Sequence, residues 1–141
     1  MRFWDSSAIV PLVLDEVRTL DARTLYRADP EMIVWWATRV ECAGAVIRSL
    51  RESSGDPMNG QVVRRAIGDV FAHAYEVAPV EDVRERAERL LAVHPLRSAD
   101  ALQLGAALVW ARERTTGLGF VSFDERLRRA AGQEGFTVLP A

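Results

Sequence analysis

Short apolar runs alternate with longer amphipathic stretches along the whole chain, and this alternation restricts the fold more than any other feature. Residues 2–5, 32–37, 119–122 and 136–139 read as strands, with Val77-Ala78 as a further short one. Between them the three-and-four spacing of apolar residues predicts helices over 6–14, about 16–27, 38–51, about 59–75, 80–93, 98–114 and 124–133. In the 38–51 stretch, for example, Val40, Ala43, Val46, Ile47 and Leu50 fall on one face. Ser53-Ser54-Gly55-Asp56-Pro57 is the clearest loop. Strands separated by helices predict an α/β three-layer sandwich with a mostly parallel central sheet of four or five strands. The 32–37 run is apolar throughout, so that strand is expected to be buried on both faces, with Trp35-Trp36 as core. The length, 141 residues, fits one domain spanning 1–141.

Composition excludes several function classes. The net charge is −2, so there is no bulk attraction to nucleic acid. All 18 basic residues are arginine. Without lysine there is no Walker-type phosphate loop, no Schiff base and no lysine phosphate clamp. No apolar run approaches the ~20 residues of a membrane span, and the N-terminal residues lack a signal-peptide pattern, so a cytoplasmic protein with no membrane contact is expected. Cys42 is the sole cysteine, which excludes an intrachain disulfide and a cysteine-based zinc site. His73 and His94 lack metal-ligand spacing.

The chemistry points to acids. Asp5 follows the first apolar run, Glu41 follows the second, Asp124 follows 119–122, and Asp100 opens the most apolar helix. In an open parallel sheet the groups just past the carboxyl ends of the strands line one edge, so acids remote in sequence can meet there. Carboxylates sharing a pocket repel each other unless a cation neutralises them, which suggests a divalent-metal site.

Each acid also has an ordinary explanation. Asp5 can cap the helix that follows it. Thr38-Arg39-Val40-Glu41 matches a capping box, in which Glu41 would reach back to the helix start. Asp100 and Asp124 suit helix starts through the dipole. Capping does not require that three caps follow three strands, and the spacing by itself leaves both readings open. Arg126, Arg128 and Arg129 lie just after Asp124; they form either a solvated helix face or a rim that steers phosphates.

Taken together, the motifs resemble those of PIN-domain ribonucleases. Met1-Arg2-Phe3-Trp4-Asp5-Ser6-Ser7-Ala8 is similar to the family's opening strand, and Thr38-Arg39-Val40-Glu41 to its second acidic motif. Arg97-Ser98-Ala99-Asp100-Ala101-Leu102-Gln103-Leu104 is similar to the third, and Phe120-Val121-Ser122-Phe123-Asp124-Glu125-Arg126-Leu127 to the fourth. The small size resembles a VapC-type toxin of a toxin–antitoxin pair. The resemblance implies a Mg²⁺- or Mn²⁺-dependent endoribonuclease with Asp5, Glu41, Asp100 and Asp124 as its acidic pocket. It further implies supporting roles for Ser6 and Ser122, a homodimer, an RNA substrate and a cognate antitoxin. On that reading Asp5, Asp100 and Asp124 hold the metal directly or through water, and Glu41 ligates or orients the attacking water. Arg126 and Arg129 are the candidate RNA contacts.

Other acidic sheet-edge enzymes fit less well. A haloacid-dehalogenase-type phosphatase needs an aspartate where this chain has Ser7, and both it and a receiver domain need a lysine. No Gly-x-Gly-x-x-Gly and no Gly-x-Ser-x-Gly elbow is present. The alternative from another class is a non-catalytic module that binds RNA or protein, its acids serving only as caps.

Overall fold

The computed structural model describes residues 1–54 and 60–141. Among them, five strands form one sheet: β1 (Arg2–Trp4), β2 (Met32–Trp35), β3 (Tyr75–Val77), β4 (Gly119–Val121) and β5 (Thr137–Leu139). Every pairing is parallel, and the order across the sheet is β3-β2-β1-β4-β5. The helices are α1 (Ser6–Val13), α2 (Thr19–Ala28), α3 (Thr38–Ser54), α4 (Gly60–Phe71), α5 (Glu81–Val93), α6 (Ser98–Trp110) and α7 (Glu125–Gln133).

Side chains alternate across each strand, and this alternation builds the three layers. Phe3, Ile33, Trp35 and Phe120 point into one core, where they meet Val83 and Leu90 of α5, Leu104 and Leu108 of α6, and Leu127 of α7. Trp4, Met32, Val34 and Val121 point the other way and pack on Ile9 of α1, Cys42 and Val46 of α3, and Val63 and Ile67 of α4. All four residues of β2 are buried, as the unbroken apolar run requires. Helices α5 and α6 approach so closely at Gly105 that a Cβ there would lie 3.1 Å from both the Val83 oxygen and the Ala87 nitrogen.

Several boundaries differ from the sequence reading. Helix α2 starts at Thr19 rather than near 16, because the Thr19 hydroxyl accepts from the Glu16 amide at 2.9 Å and donates to the Leu14 carbonyl at 2.9 Å. Those bonds satisfy the backbone in a turn and remove the need for a helical one. Helix α4 stops at Phe71, and Tyr75 joins the sheet opposite Ile33, so β3 begins two residues before Val77. Helix α6 ends at Trp110 because Arg112 and Glu113 adopt left-handed φ values of 49° and 60°. No glycine flags that stop in the sequence. Of the loop expected over 53–57, Ser53 and Ser54 close α3 instead, and 55–57 lie outside the described residues. The tryptophan pair is also split. Trp35 is 5% exposed, but Trp36 is 55% exposed, since the strand ends between them.

Candidate functional site

Strand β1 lies at the centre of the sheet. From it the chain moves to β2 and β3 on one side, and later places β4 and β5 on the other. The order therefore reverses between β1 and β4, and a crevice opens past their carboxyl ends. Asp5 follows β1 directly, and Ser122-Phe123-Asp124 follows β4. Arg2, Phe3 and Trp4 pair in register with Gly119, Phe120 and Val121, which brings the two segments level, and the Asp5 amide donates to the Val121 carbonyl at 3.1 Å.

Asp5 caps α1, accepting from the Ser7 amide at 3.3 Å and the Ser7 hydroxyl at 2.8 Å. It is only 4% exposed. Burial, the largest influence, raises its pKa to about 7; the nearby Asp124 charge adds to the rise, and the donors Ser7 and Ser122 oppose it. Among the described residues, no arginine forms an ion pair with Asp5. The Ser7 hydroxyl also accepts from the Phe123 amide at 2.8 Å and lies 3.4 Å from the Ser122 hydroxyl. It thus ties the end of β1 to the end of β4. Ser122 is fully buried, and its hydroxyl accepts from the Asp124 amide at 3.1 Å. Arg128 braces the same turn, donating to the carbonyls of Ser122 at 2.8 Å and Pro140 at 2.7 Å.

Asp124 caps α7 through the Leu127 amide at 2.8 Å. Asp100, in the first turn of α6, has its pKa raised by burial and then by the Asp124 charge; the Arg97 amide and the charges of Arg97 and Arg126 pull it back. Glu41 does not form the expected capping box. Its carboxylate accepts from Gln103 Nε2 at 2.9 Å, and the same nitrogen donates to the Thr38 hydroxyl at 3.0 Å. The sequence pattern matched a capping box, but the Gln103 amide of α6, buried away from water, draws both the Thr38 hydroxyl and the Glu41 carboxylate to itself. Burial pushes the Cys42 thiol up, and the charges of Asp5 and Glu41 push in the same direction, so both carboxylates act on that one buried atom.

Three of the acids are electrically linked, Asp5 to Asp124 and Asp124 to Asp100, while Glu41 stands near them as a second charge acting on Cys42. They do not close into a ready ligand shell. Among the described residues no group of three histidine, cysteine, aspartate or glutamate side chains is arranged to hold a metal ion. Each carboxylate is turned toward a neutral donor of the protein. The donor set is nonetheless all hard oxygen, and a buried carboxylate without a cationic partner suits an ion that keeps several waters and binds few carboxylates directly.

Other candidates divide. Ser122 stands in the network. Ser6 does not contribute its hydroxyl to it; the carbonyl of Ser6 lies 4.0 Å from the Cys42 sulfur, and the adjacent Ser7 takes the bridging place. Arg126 acts on Asp100, while Arg129 is exposed on the same helix. Sequence reasoning missed Ser7, Gln103 and Arg18. Gln103 had a signal, a lone amide in an apolar helix. Arg18 had none; it lies over the Phe123 ring at 5.2 Å, beside a cleft of about 400 Å³ that Ser7 also lines. His94 is buried and pairs with Glu134 at 2.7 Å.

The sequence model of the PIN domain matches residues 2–133. This chain belongs to the PIN-domain family. PIN domains are generally nucleases and generally depend on divalent metals. The fold is shared with two solved structures. Mycobacterium tuberculosis VapC20, described as a sarcin–ricin loop cleaving toxin, aligns with a TM-score of 0.62 at 18% identity over 97% of each chain. PAE2754 from Pyrobaculum aerophilum aligns with a TM-score of 0.63 at 18% identity, over 98% of this PIN domain and 88% of that chain. No curated protein matches the sequence. No helix among the described residues is long and apolar enough to cross a membrane.

Proposed function

We propose that this PIN domain, spanning residues 1–141 as one domain, is a Mg²⁺- or Mn²⁺-dependent endoribonuclease and the cytoplasmic toxin of a type II toxin–antitoxin pair. One observation carries the reading: Asp5 is buried at the reversal point of the sheet, held by neutral donors alone, with Asp124 close enough to raise its pKa. A carboxyl in that position lacks a counter-charge that a divalent cation would provide.

In this reading Asp5, Asp100 and Asp124 hold the cation, in part through water, and Glu41 orients the attacking water. The ion would supply an activated water near neutral pH and offset charge on the scissile phosphate. Ser7 and Ser122 are positioning residues: they orient the Asp5 carboxylate and fix the turn that carries Asp124. Gln103 does the same for Glu41. Arg126, and with it Arg129, draws RNA toward an edge whose acids would otherwise repel it. RNA is the substrate class, as it is for VapC20; a homodimer and an antitoxin encoded in the neighbouring reading frame complete the proposal.

The caps made by Asp5 and Asp124 favour the rival, a binding module without catalysis. Calorimetric titration with Mn²⁺ separates the two. The nuclease reading expects millimolar or tighter binding that disappears in Asp100→Asn, together with RNA cleavage lost in Asp5→Ala and Asp100→Asn. Cleavage retained in both variants rejects the site. Matched RNA and DNA strands test the substrate class, and unchanged RNA affinity and salt slope in Arg126→Ala/Arg129→Ala would remove the arginine rim.

A further inference from the structure

A cleft of about 430 Å³ lies beside the acidic edge, between the start of α3, α4 and the edge strand β3. Its lining is unusual for a protein surface. Trp36 is 55% exposed and Val40 is 68% exposed, and the guanidinium-bearing Arg39 and Arg64 lie with them. Glu76 of β3 is the one acid on the wall, so two cations stand against one carboxylate.

Trp36 is held in place. It follows the last residue of β2, and its amide donates to the Val77 carbonyl of β3 at 3.1 Å. Arg39 is seated over α4 at Gly68, where a Cβ would lie 3.7 Å from its Nη2 atom. Ala37, Val40 and Ala43 with Ile67 complete an apolar floor. An open indole beside two guanidinium groups matches what single-stranded nucleic acid asks of a surface. A base stacks on the ring, and the flanking phosphates pair with the arginines.

Position joins the cleft to the site. Trp36 leaves the carboxyl end of β2, the strand next to β1, whose own end carries Asp5. Arg39 and Val40 immediately precede Glu41 on α3, so a single helix turn carries both the residues that line the cleft and the carboxylate that meets Gln103.

We infer that this cleft is an RNA subsite: Trp36 stacks a base outside the scissile position while Arg39 and Arg64 bind the neighbouring phosphates. The inference rests on the ribonuclease reading for the direction of the strand, but its readout is binding and not cleavage.

The test uses the full chain and a labelled single-stranded RNA of about 12 nucleotides, with anisotropy measured in EDTA so that binding is read alone. Trp36→Ala should weaken binding about tenfold, and Trp36→Phe should restore most of it. Arg39→Ala/Arg64→Ala should lower the slope of log affinity against log salt by about 1.4, the value for two phosphate contacts on a single strand. Circular dichroism confirms folding, and the arginine pair is exposed, so at least that variant remains informative. Equal RNA affinity in all three variants overturns the subsite. So does a shift from dimer to monomer in sedimentation with RNA affinity unchanged, which would make the cleft a face between two copies. Cleavage is followed separately after Mn²⁺ is added. A wild type that binds RNA through Trp36 without cutting it supports the subsite and sinks the nuclease reading; a wild type that cuts, with variants that bind as well as it does, has the opposite meaning.

Discussion

Replacing Asp5 by asparagine should make the protein more stable, and by an amount that depends on pH. The pKa of Asp5 is about 7 in the fold against an ordinary 3.8. Between those values the folded state holds a proton that the unfolded chain has lost. Stability contributed by this residue therefore falls as pH rises from 3.8 and levels off above 7. The full difference corresponds to about 4 kcal/mol. Asparagine is similar in shape, caps helices equally well, and still accepts from Ser7. It carries no ionisation cost. Urea unfolding in EDTA should therefore show Asp5→Asn more stable than wild type by up to about 4 kcal/mol at pH 8, narrowing to about 1 kcal/mol at pH 4.5. Adding Mn²⁺ at pH 8 should stabilise the wild type and leave the variant unchanged, because only the former gains by binding. An Asp5→Asn protein no more stable than wild type at pH 8, or an advantage that does not shrink toward acid, would refute the claim that Asp5 is held against its own ionisation.

The surroundings of Asp5 and Glu41 give further expectations. In Ser7→Ala the carboxyl loses a donor that favours its charged form, so its pKa should rise and the acid limb of the cleavage profile should move to higher pH, with about 1–3 kcal/mol lost in urea unfolding from the unpaired Phe123 amide. Gln103→Leu should leave Thr38 and Glu41 without their shared donor, costing about 1–3 kcal/mol and reducing cleavage at unchanged metal affinity; full activity would remove Gln103 from the positioning role. Gly105→Ala should force α5 and α6 apart and cost about 1–3 kcal/mol while Mn²⁺ binding to the folded protein persists; a neutral outcome would show that the helices can give way.

The alternation of apolar strands and amphipathic helices was sufficient to set the fold class, because periodicity is a local property that each segment carries alone. The placement of Asp5, Glu41, Asp100 and Asp124 at helix starts was legible for the same reason: each sits near a junction that the sequence marks. Side-chain partners were not legible. Nothing local distinguishes Ser6 from Ser7, and only the register of β1 against β4 places the second hydroxyl against Phe123. The Thr38–Glu41 pattern favoured a local cap until a buried amide 62 residues away claimed the carboxylate. Trp36 reads as core beside Trp35, yet the strand ends between them and leaves one ring at the surface. Sequence determined which groups stand at the sheet edge; tertiary packing decided what each touches, because desolvation and hydrogen-bond pairing depend on neighbours far away in the chain.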